Sequence, residues 1–423
     1  MSRTIEDLRQ MQSLPLSLKV SLTKSRLRQW VNEYGEDGVY VSFSGGKDST
    51  VLLHIAREMY PNLRGCFVNT GLEYPEIVEF VKTFDNIDII KPKMNFKKVI
   101  EKYGYPFISK EVAECVYGAK RYLRELQEEL NRQTDRQTDR QTDRQSNLHY
   151  AYRLDRLLGQ GVYAKQDTGG AIASIANSKE LASLLNERMS SRTGGNNQRL
   201  AQMLGMYTNK RTVMAKESIP NVDRSRYSQE RWSFFLDEDA PGISNNCCNV
   251  MKKSPAHEYS RKTGRVPITA EMADESRLRT QKWLQNGCNG FALKSPKSTP
   301  MAFWKEQDVL QYIKDNNVRI CSVYGDIVSD DGKNEYPEGQ TMLTLDGDVV
   351  DAPCKWKTTG CKRTGCMFCG FGCHMSDDDR FVAMKKTHPK LYEWIMKPWK
   401  NGGLGYKEVI DWINEHGNLN IRY

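Results

Sequence analysis

The stretch VYVSFSGGKDSTVLLHIA, residues 39–56, places two glycines, a lysine, an aspartate and several hydroxyls between two apolar segments. Val39, Tyr40, Val41 and Phe43 read as a buried β-strand, and Val51, Leu52, Leu53 and Ile55 as the inner face of a helix. Gly45 and Gly46 can take positive φ and let another group approach the backbone closely. Lys47 then stands at a helix N-terminus, where unsatisfied amides and the helix dipole favour an anion. Phosphate is the anion this arrangement expects.

A second group of reactive side chains is sulfur. The run CKWKTTGCKRTGCMFCGFGCH (354–374) holds Cys354, Cys361, Cys366, Cys369 and Cys373. Cys366 and Cys369 have the two-residue gap that brings two thiolates onto one metal centre. Gly365, Gly370 and Gly372 let the backbone curl around sulfur, and Lys355, Lys357, Lys362 and Arg363 favour thiolate and offset the negative charge of a cluster. His374 beside Cys373 makes that thiol a candidate nucleophile, and equally a candidate ligand. The adjacent pair Cys247 and Cys248 lies well upstream, in GISNNCC, which has loop character. A zinc knuckle made from the C-terminal cysteines, with His374, competes with an iron–sulfur centre. Cys66, Cys115 and Cys321 read instead as buried apolar side chains, and Cys288 is left unassigned.

In ESRLR, Glu275, Arg277 and Arg279 alternate, so both guanidinium groups would face one anion if the segment is extended. Lys252 and Lys253 form a weaker basic candidate. The net charge of +9, from 62 basic and 53 acidic residues, suits an anionic ligand and leaves nucleic acid open as a partner. Eleven cysteines clustered late in the chain point to metal or redox work in a reducing compartment. No apolar run is long enough to cross a bilayer, and the start MSRTIEDLRQMQSLPLSLKV has no continuous apolar core, so a cytoplasmic location without membrane contact is the expectation.

These residues need a scaffold. After the first strand and helix, 63–71 reads as a strand, 74–84 as a helix, 87–92 as a strand and 95–104 as a helix. Alternation at this length argues for a parallel sheet with helices on both faces, and in such sheets ligands bind beyond the carboxyl ends of the strands. The pattern breaks near 118. Three tandem RQTD copies at 132–143 drift around a helix and leave no apolar face, so they read as a low-complexity spacer, helical or disordered. Four regions are therefore expected: a nucleotide-binding core at 1–117 and 240–350, a helical, low-complexity insertion at 118–239, and a cysteine-rich element with a terminal helix at 351–423. Residues 291–318 suggest a short strand, a loop and a helix opened by Trp304, and 405–417 an amphipathic helix.

An ordinary phosphate loop would require glycine where Val41 stands, but SGGKDST at 44–50 resembles the PP-loop of the ATP pyrophosphatase superfamily. Within it, FVNTGLEYPEIVEFV (67–81), ISKEVAECV (108–116) and ITAEMADESRLRTQKWLQNGC (268–288) are similar to segments of phosphoadenosine phosphosulfate reductases, especially phage-borne members. The resemblance covers about half the chain. It implies an α/β, adenine nucleotide alpha hydrolase-like sheet that binds an adenine nucleotide, either ATP or phosphoadenosine phosphosulfate. In that reading Ser44, Gly45, Gly46, Ser49 and Thr50 give amides and hydroxyls to phosphate oxygens. Lys47 supplies a point charge, and Asp48 orders the loop or helps hold magnesium. Asn69, Thr70 and Gly71 lie at the next strand end, where the family places its nucleotide.

The Cys-Cys pair followed by CxxC resembles the ligand set of iron–sulfur adenylyl sulfate reductases. It implies a [4Fe–4S] cluster on Cys247, Cys248, Cys366 and Cys369. The family's reductases attack with a cysteine in a Glu-Cys-Gly-Leu-His motif, which this sequence lacks; its last cysteine is Cys373. Two enzyme chemistries follow, each needing a thiol or sulfur-donor protein. One is reduction of an activated sulfate. The other is ATP-dependent adenylation with sulfur delivery, for which nucleic acid is a candidate acceptor. A nucleotide- or nucleic-acid-binding module without turnover is the third reading.

Overall fold

The apolar runs at 39–43 and 65–68 are short and bounded by glycine, as expected of strands covered on both faces. The computed structural model describes residues 3–136, 230–237, 239–330, 341–343, 349–351, 355–375 and 378–423. In chain order its first strands are β1 (Val39–Ser42), β2 (Gly65–Val68), β3 (Ile87–Ile90), β4 (Phe107–Ile108), β5 (Val266–Ile268), β6 (Asn289–Gly290) and β7 (Lys297–Ser298). Six of them make one sheet in the order β3-β2-β1-β5-β7-β6. All pairings from β3 to β7 are parallel, and β6 closes the edge antiparallel. The order reverses at β1, which pairs with β2 at Val41–Gly65 and with β5 at Val39–Val266. The glycine turn therefore leaves the sheet at its topological switch point.

The chain divides into two compact units, residues 1–95 with 250–367 and residues 96–249 with 368–423. Composition placed the boundaries near 117, 239 and 350 instead. The first unit holds the sheet. Helices Leu16–Tyr34, Lys47–Met59 and Glu306–Asp315 cover it, and their apolar residues share one core with Val41, Phe43 and Phe67. Trp304 does not open its helix; it is a core anchor, fully buried, and its indole Nε1 donates to the Thr23 hydroxyl at 2.9 Å. Cys66, Cys288 and Cys321 are buried in this unit.

In the second unit β4 pairs in parallel with Gly370–Phe371, and Phe107, Phe381 and Tyr406 pack as tilted and edge-on rings at centroid distances of 5.1–6.3 Å. The last helix, Tyr406–Gly417, buries Tyr406, Val409, Ile410 and Ile413. Cys115 is buried here. Helix Lys110–Arg136 runs through the first RQTD copy. The other copies, most of the expected insertion and Cys354 lie outside the described residues.

One charge is buried in the first unit away from the glycine turn. The Lys19 side chain is 3% exposed, and its ammonium donates to Asp308 at 2.7 Å and to the Gln12 carbonyl at 2.7 Å. Removing one partner of a buried pair leaves the other uncompensated, at a cost of about 3 kcal/mol. Asp308→Ala should therefore lower the urea midpoint of the first unit's unfolding, whereas Asp308→Asn, which keeps an acceptor for Lys19, should lower it less. Equal midpoints for wild type and Asp308→Ala would show that this pair adds no stability.

Candidate functional site

Gly45 adopts φ +71°, and a Cβ built on it would lie 2.8 Å from Ile77 Cγ2 and 2.9 Å from Val81 Cγ2. Positive φ and this close approach to the helix Pro75–Lys82 both require glycine. Gly46 is extended (φ −77°) and forms the N-cap of Lys47–Met59, whose first turn has no side-chain cap from its own N-cap residue. Its α-carbon faces the Thr364 and Tyr324 hydroxyls, which a Cβ would approach to 3.1 and 3.2 Å.

The loop's donors are met by neutral hydroxyls. The Lys47 amide donates to Tyr324 Oη at 3.0 Å, and that hydroxyl shares a hydrogen bond with Thr364 at 2.7 Å. The Gly46 amide donates to Ser44 Oγ at 3.3 Å, and the Ser44 amide to Ser49 Oγ at 3.2 Å. The hydroxyls of Ser49 and Thr50 donate back to the Gly46 carbonyl at 2.9 and 3.0 Å. Both are buried, so they brace the loop, while Ser44 is exposed on it.

Lys47 is 2% exposed. Its ammonium donates to the Lys362 carbonyl at 3.0 Å and lies 3.1 Å from Glu306 and 3.6 Å from Asp48. Burial pushes the Asp48 carboxyl upward in pKa, and Lys47 and Arg363 partly oppose the shift. One Asp48 oxygen, Oδ1, is buried without a hydrogen bond. The side chain is partly exposed, and this oxygen, the one 3.6 Å from the Lys47 ammonium, is a carboxylate donor of the kind a hard cation such as magnesium takes.

Asn69, Thr70 and Gly71 form the turn after β2. Asn69 Oδ1 accepts from the Gly71 amide at 3.1 Å, while the amide and hydroxyl of Thr70 both donate to Glu73 at 2.9 Å. Glu73 in turn pairs with Lys252 at 3.4 Å. Lys252 also hydrogen-bonds Cys366; burial lowers its pKa, but Cys366 and Glu73 outweigh burial and hold it above the usual lysine value. A cleft of about 1000 Å³ opens beside Ser44, Val68, Glu73, Lys252, Thr269 and Thr364. It takes in residues just beyond the carboxyl ends of β1, β2 and β5.

Arg277 and Arg279 are not brought to one face. The segment expected as extended begins a helix, Arg277–Asn286, because the Ser276 hydroxyl caps it by accepting from the Arg279 amide at 3.3 Å. Two residues apart on a helix point about 200° apart. Arg279 pairs with Glu275 and Arg277 is exposed. Another arginine, Arg363, lies 3.4 Å from Glu275, and its charge acts on Asp48. Tyr324, Thr364, Glu306, Arg363 and Glu73 escaped the sequence reading as parts of the loop's surroundings. Only Glu73 carried a usable signal, the Thr-x-x-Glu spacing of a reciprocal cap.

Cys366 falls in the first unit, and Cys247, Cys248, Cys369 and Cys373 in the second. The Cys-Cys pair is not on a loop: it ends a single helical turn, Asn246–Cys248, that passes into a π-helix at Asn249–Lys253. π-turns are rare and concentrate at functional sites. Cys247 is buried and Cys248 half-buried. Burial raises the Cys369 thiol pKa, the Cys248 charge adds to that, and the Phe371 amide and Arg380 oppose it. Cys373 is 2% exposed and its pKa is pushed up to about 12, mainly by burial. Beside it, burial lowers the His374 pKa. Cys373 is thus held as a neutral thiol, a poor setting for a nucleophile. Among the described residues no three histidine, cysteine or carboxylate side chains converge as a metal-holding group. No described helix is long and apolar enough to cross a membrane.

The sequence model of the phosphoadenosine phosphosulfate reductase domain matches residues 38–152 and 196–370. The match takes in the glycine turn, Cys247, Cys248, Cys366 and Cys369, and stops short of Cys373. An uncharacterised protein of Methanocaldococcus jannaschii is 40% identical over 73 residues, which is 16% of this chain and 18% of that protein's length. The chain thus spans less than a fifth of that relative.

Two outcomes test the loop geometry. Gly45→Ala, strained in φ and crowded by Ile77 and Val81, should weaken adenine-nucleotide binding at least tenfold by calorimetry. Tyr324→Phe removes only the hydroxyl that occupies the Lys47 amide. It should tighten nucleotide binding several-fold, and weaker binding would instead make Tyr324 a ligand.

Proposed function

This chain belongs to the phosphoadenosine phosphosulfate reductase family, and from that premise we propose that it binds an adenine nucleotide at Ser44–Thr50 and performs sulfur chemistry on it. The fold is the mostly parallel α/β sheet of an adenine nucleotide alpha hydrolase. One observation carries the reading: a buried lysine beside a helix N-terminus and a positive-φ glycine, at the switch point of the sheet. In this reading phosphate oxygens take the places of the Tyr324 and Ser44 hydroxyls on the loop amides. An anionic acceptor makes stronger hydrogen bonds than a neutral one, about 1.5–3 against about 1 kcal/mol each. Lys47 balances charge that develops on the phosphates, and Asp48 Oδ1 is the place for magnesium.

We assign Cys247, Cys248, Cys366 and Cys369 to a [4Fe–4S] cluster, with zinc as the competing ion. The donor set fits: thiolates, an adjacent pair beside a π-turn, and Arg380 and Lys252 to offset negative charge on Cys369 and Cys366. Such a cluster would supply electrons or a labile sulfur. This chain's own residues bind the nucleotide, orient it with Lys47 and the loop amides, and hold Lys252 between Glu73 and Cys366.

Reduction of a sulfonucleotide needs a thiolate nucleophile, which a thiol-donor protein would supply. Buried, neutral Cys373 favours a second reading, in which an acceptor oxygen attacks the α-phosphorus of ATP, pyrophosphate leaves, and sulfur then displaces AMP. Protein purified without oxygen should bind ATP or phosphoadenosine phosphosulfate, and Lys47→Ala should abolish that heat. Sulfite released with a thiol donor identifies reduction, whereas pyrophosphate from ATP identifies adenylation. Iron and sulfide should be present and fall in Cys248→Ala. Zinc without iron would overturn the cluster, and no heat with either nucleotide would overturn the whole reading.

A further inference from the structure

The cleft beside the loop, about 1000 Å³, lies at the upper end of the range of about 300–1000 Å³ that encloses a single drug-sized ligand. Its far wall is the helix Ser254–Thr263, which continues the helical backbone of Lys253. Lys253, His257 and Arg261 all line the cleft and are exposed. Their spacing of four and four places them on one helix face. Three such positions span about 12 Å of helix.

Among the described residues this face has no acidic counterpart. The helix's one carboxylate, Glu258, is engaged by Lys93 at 2.9 Å and Lys262 at 3.1 Å. Of the acids lining the cleft, Glu73 is taken by Thr70 and Lys252, and Glu271 by Lys297 at 2.9 Å. Lys253 and Arg261 have no ion-pair partner among the described residues, and Lys282 adds a further cation to the rim. Unpaired cations repeating along a helix, with an imidazole between them able to stack on a base, match a chain of phosphates more than a single one.

We propose that the stripe Lys253–His257–Arg261 docks a single-stranded nucleic acid, whose end enters the cleft as the acceptor for the nucleotide-dependent chemistry. The proposal rests on the adenylating reading above for its purpose, but the docking itself does not need it. Cations that neutralise phosphates release counterions, so binding weakens with salt by about 0.7 log units per contact and per log unit of salt for a single strand.

The test is fluorescence anisotropy of the full-length protein with a short fluorescein-labelled single-stranded RNA, and with the same sequence as DNA, across a salt series. Lys253→Gln with Arg261→Gln should weaken binding at least tenfold at low salt and flatten the salt slope by about 1.4, while ATP binding by calorimetry stays unchanged. Lys47→Ala should do the reverse, losing ATP and keeping the oligonucleotide. If the double variant binds the oligonucleotide as wild type does, the proposal fails; if it loses ATP instead, the proposal fails and the stripe serves a second phosphate of the nucleotide. No binding of either strand to wild type also overturns it, and leaves the nucleotide site standing.

Discussion

A lysine ammonium that is 2% exposed is the constraint around which the first unit is arranged. An isolated buried charge costs many kcal/mol, so every element near it must supply compensation. Lys47 obtains it from three separate places: Asp48 in its own helix, Glu306 at the head of another, and the Lys362 carbonyl at the edge of the cysteine-rich run. Two carboxylates around one ammonium leave a net negative count, and Arg363 corrects it. Such a set holds three distant stretches of chain in register, and it keeps the loop shaped before any ligand arrives.

Beside this lies a second polar chain, from Thr70 through Glu73 and Lys252 to Cys366. It starts at the carboxyl end of β2 and ends on a thiol. Its order is set by acceptor strength. Glu73 takes both Thr70 donors and still faces Lys252, so Lys252 has a fixed partner on one side and a sulfur on the other. A lysine gripped in this way stays charged beside the Cys366 sulfur. The two networks carry the same message: the loop and the first cysteine of the CxxC pair are wired into one electrostatic frame.

Much of this was legible before any coordinates. Glycine, lysine and hydroxyls between a strand pattern and a helix pattern identify the loop, because local chemistry and hydrophobic period agree there. The strands and helices from 39 to 103 follow for the same reason. The arginine pair was misread because alternation alone does not distinguish a strand from the first turn of a helix. Ser276, as an N-cap, decides it. Tyr324 and Glu306 were illegible, since they reach the loop across some 260–280 positions of sequence and neither belongs to a local pattern. The pair Cys247–Cys248 was read as lying on a loop, but it ends a helical turn that passes into a π-helix.

The spacing between the two networks has a mechanical consequence. Lys362 and Thr364 touch the glycine loop, one through its carbonyl to Lys47 and the other through its hydroxyl to Tyr324. Cys366 follows Thr364 by two residues, which limits the backbone distance between them to about 7 Å. The same strap is tied behind, where the Gly360 and Cys361 amides donate to Tyr324 and Val323 at 2.8 and 3.0 Å. A phosphate that displaced the Tyr324 hydroxyl would therefore push on a segment anchored on one side and ending at a thiol on the other. Slack is short, so movement at the loop must be absorbed at Cys366 or by breaking the strap's anchor. That geometry couples the position of the glycine loop to Cys366 through the short backbone from Lys362 to Cys366.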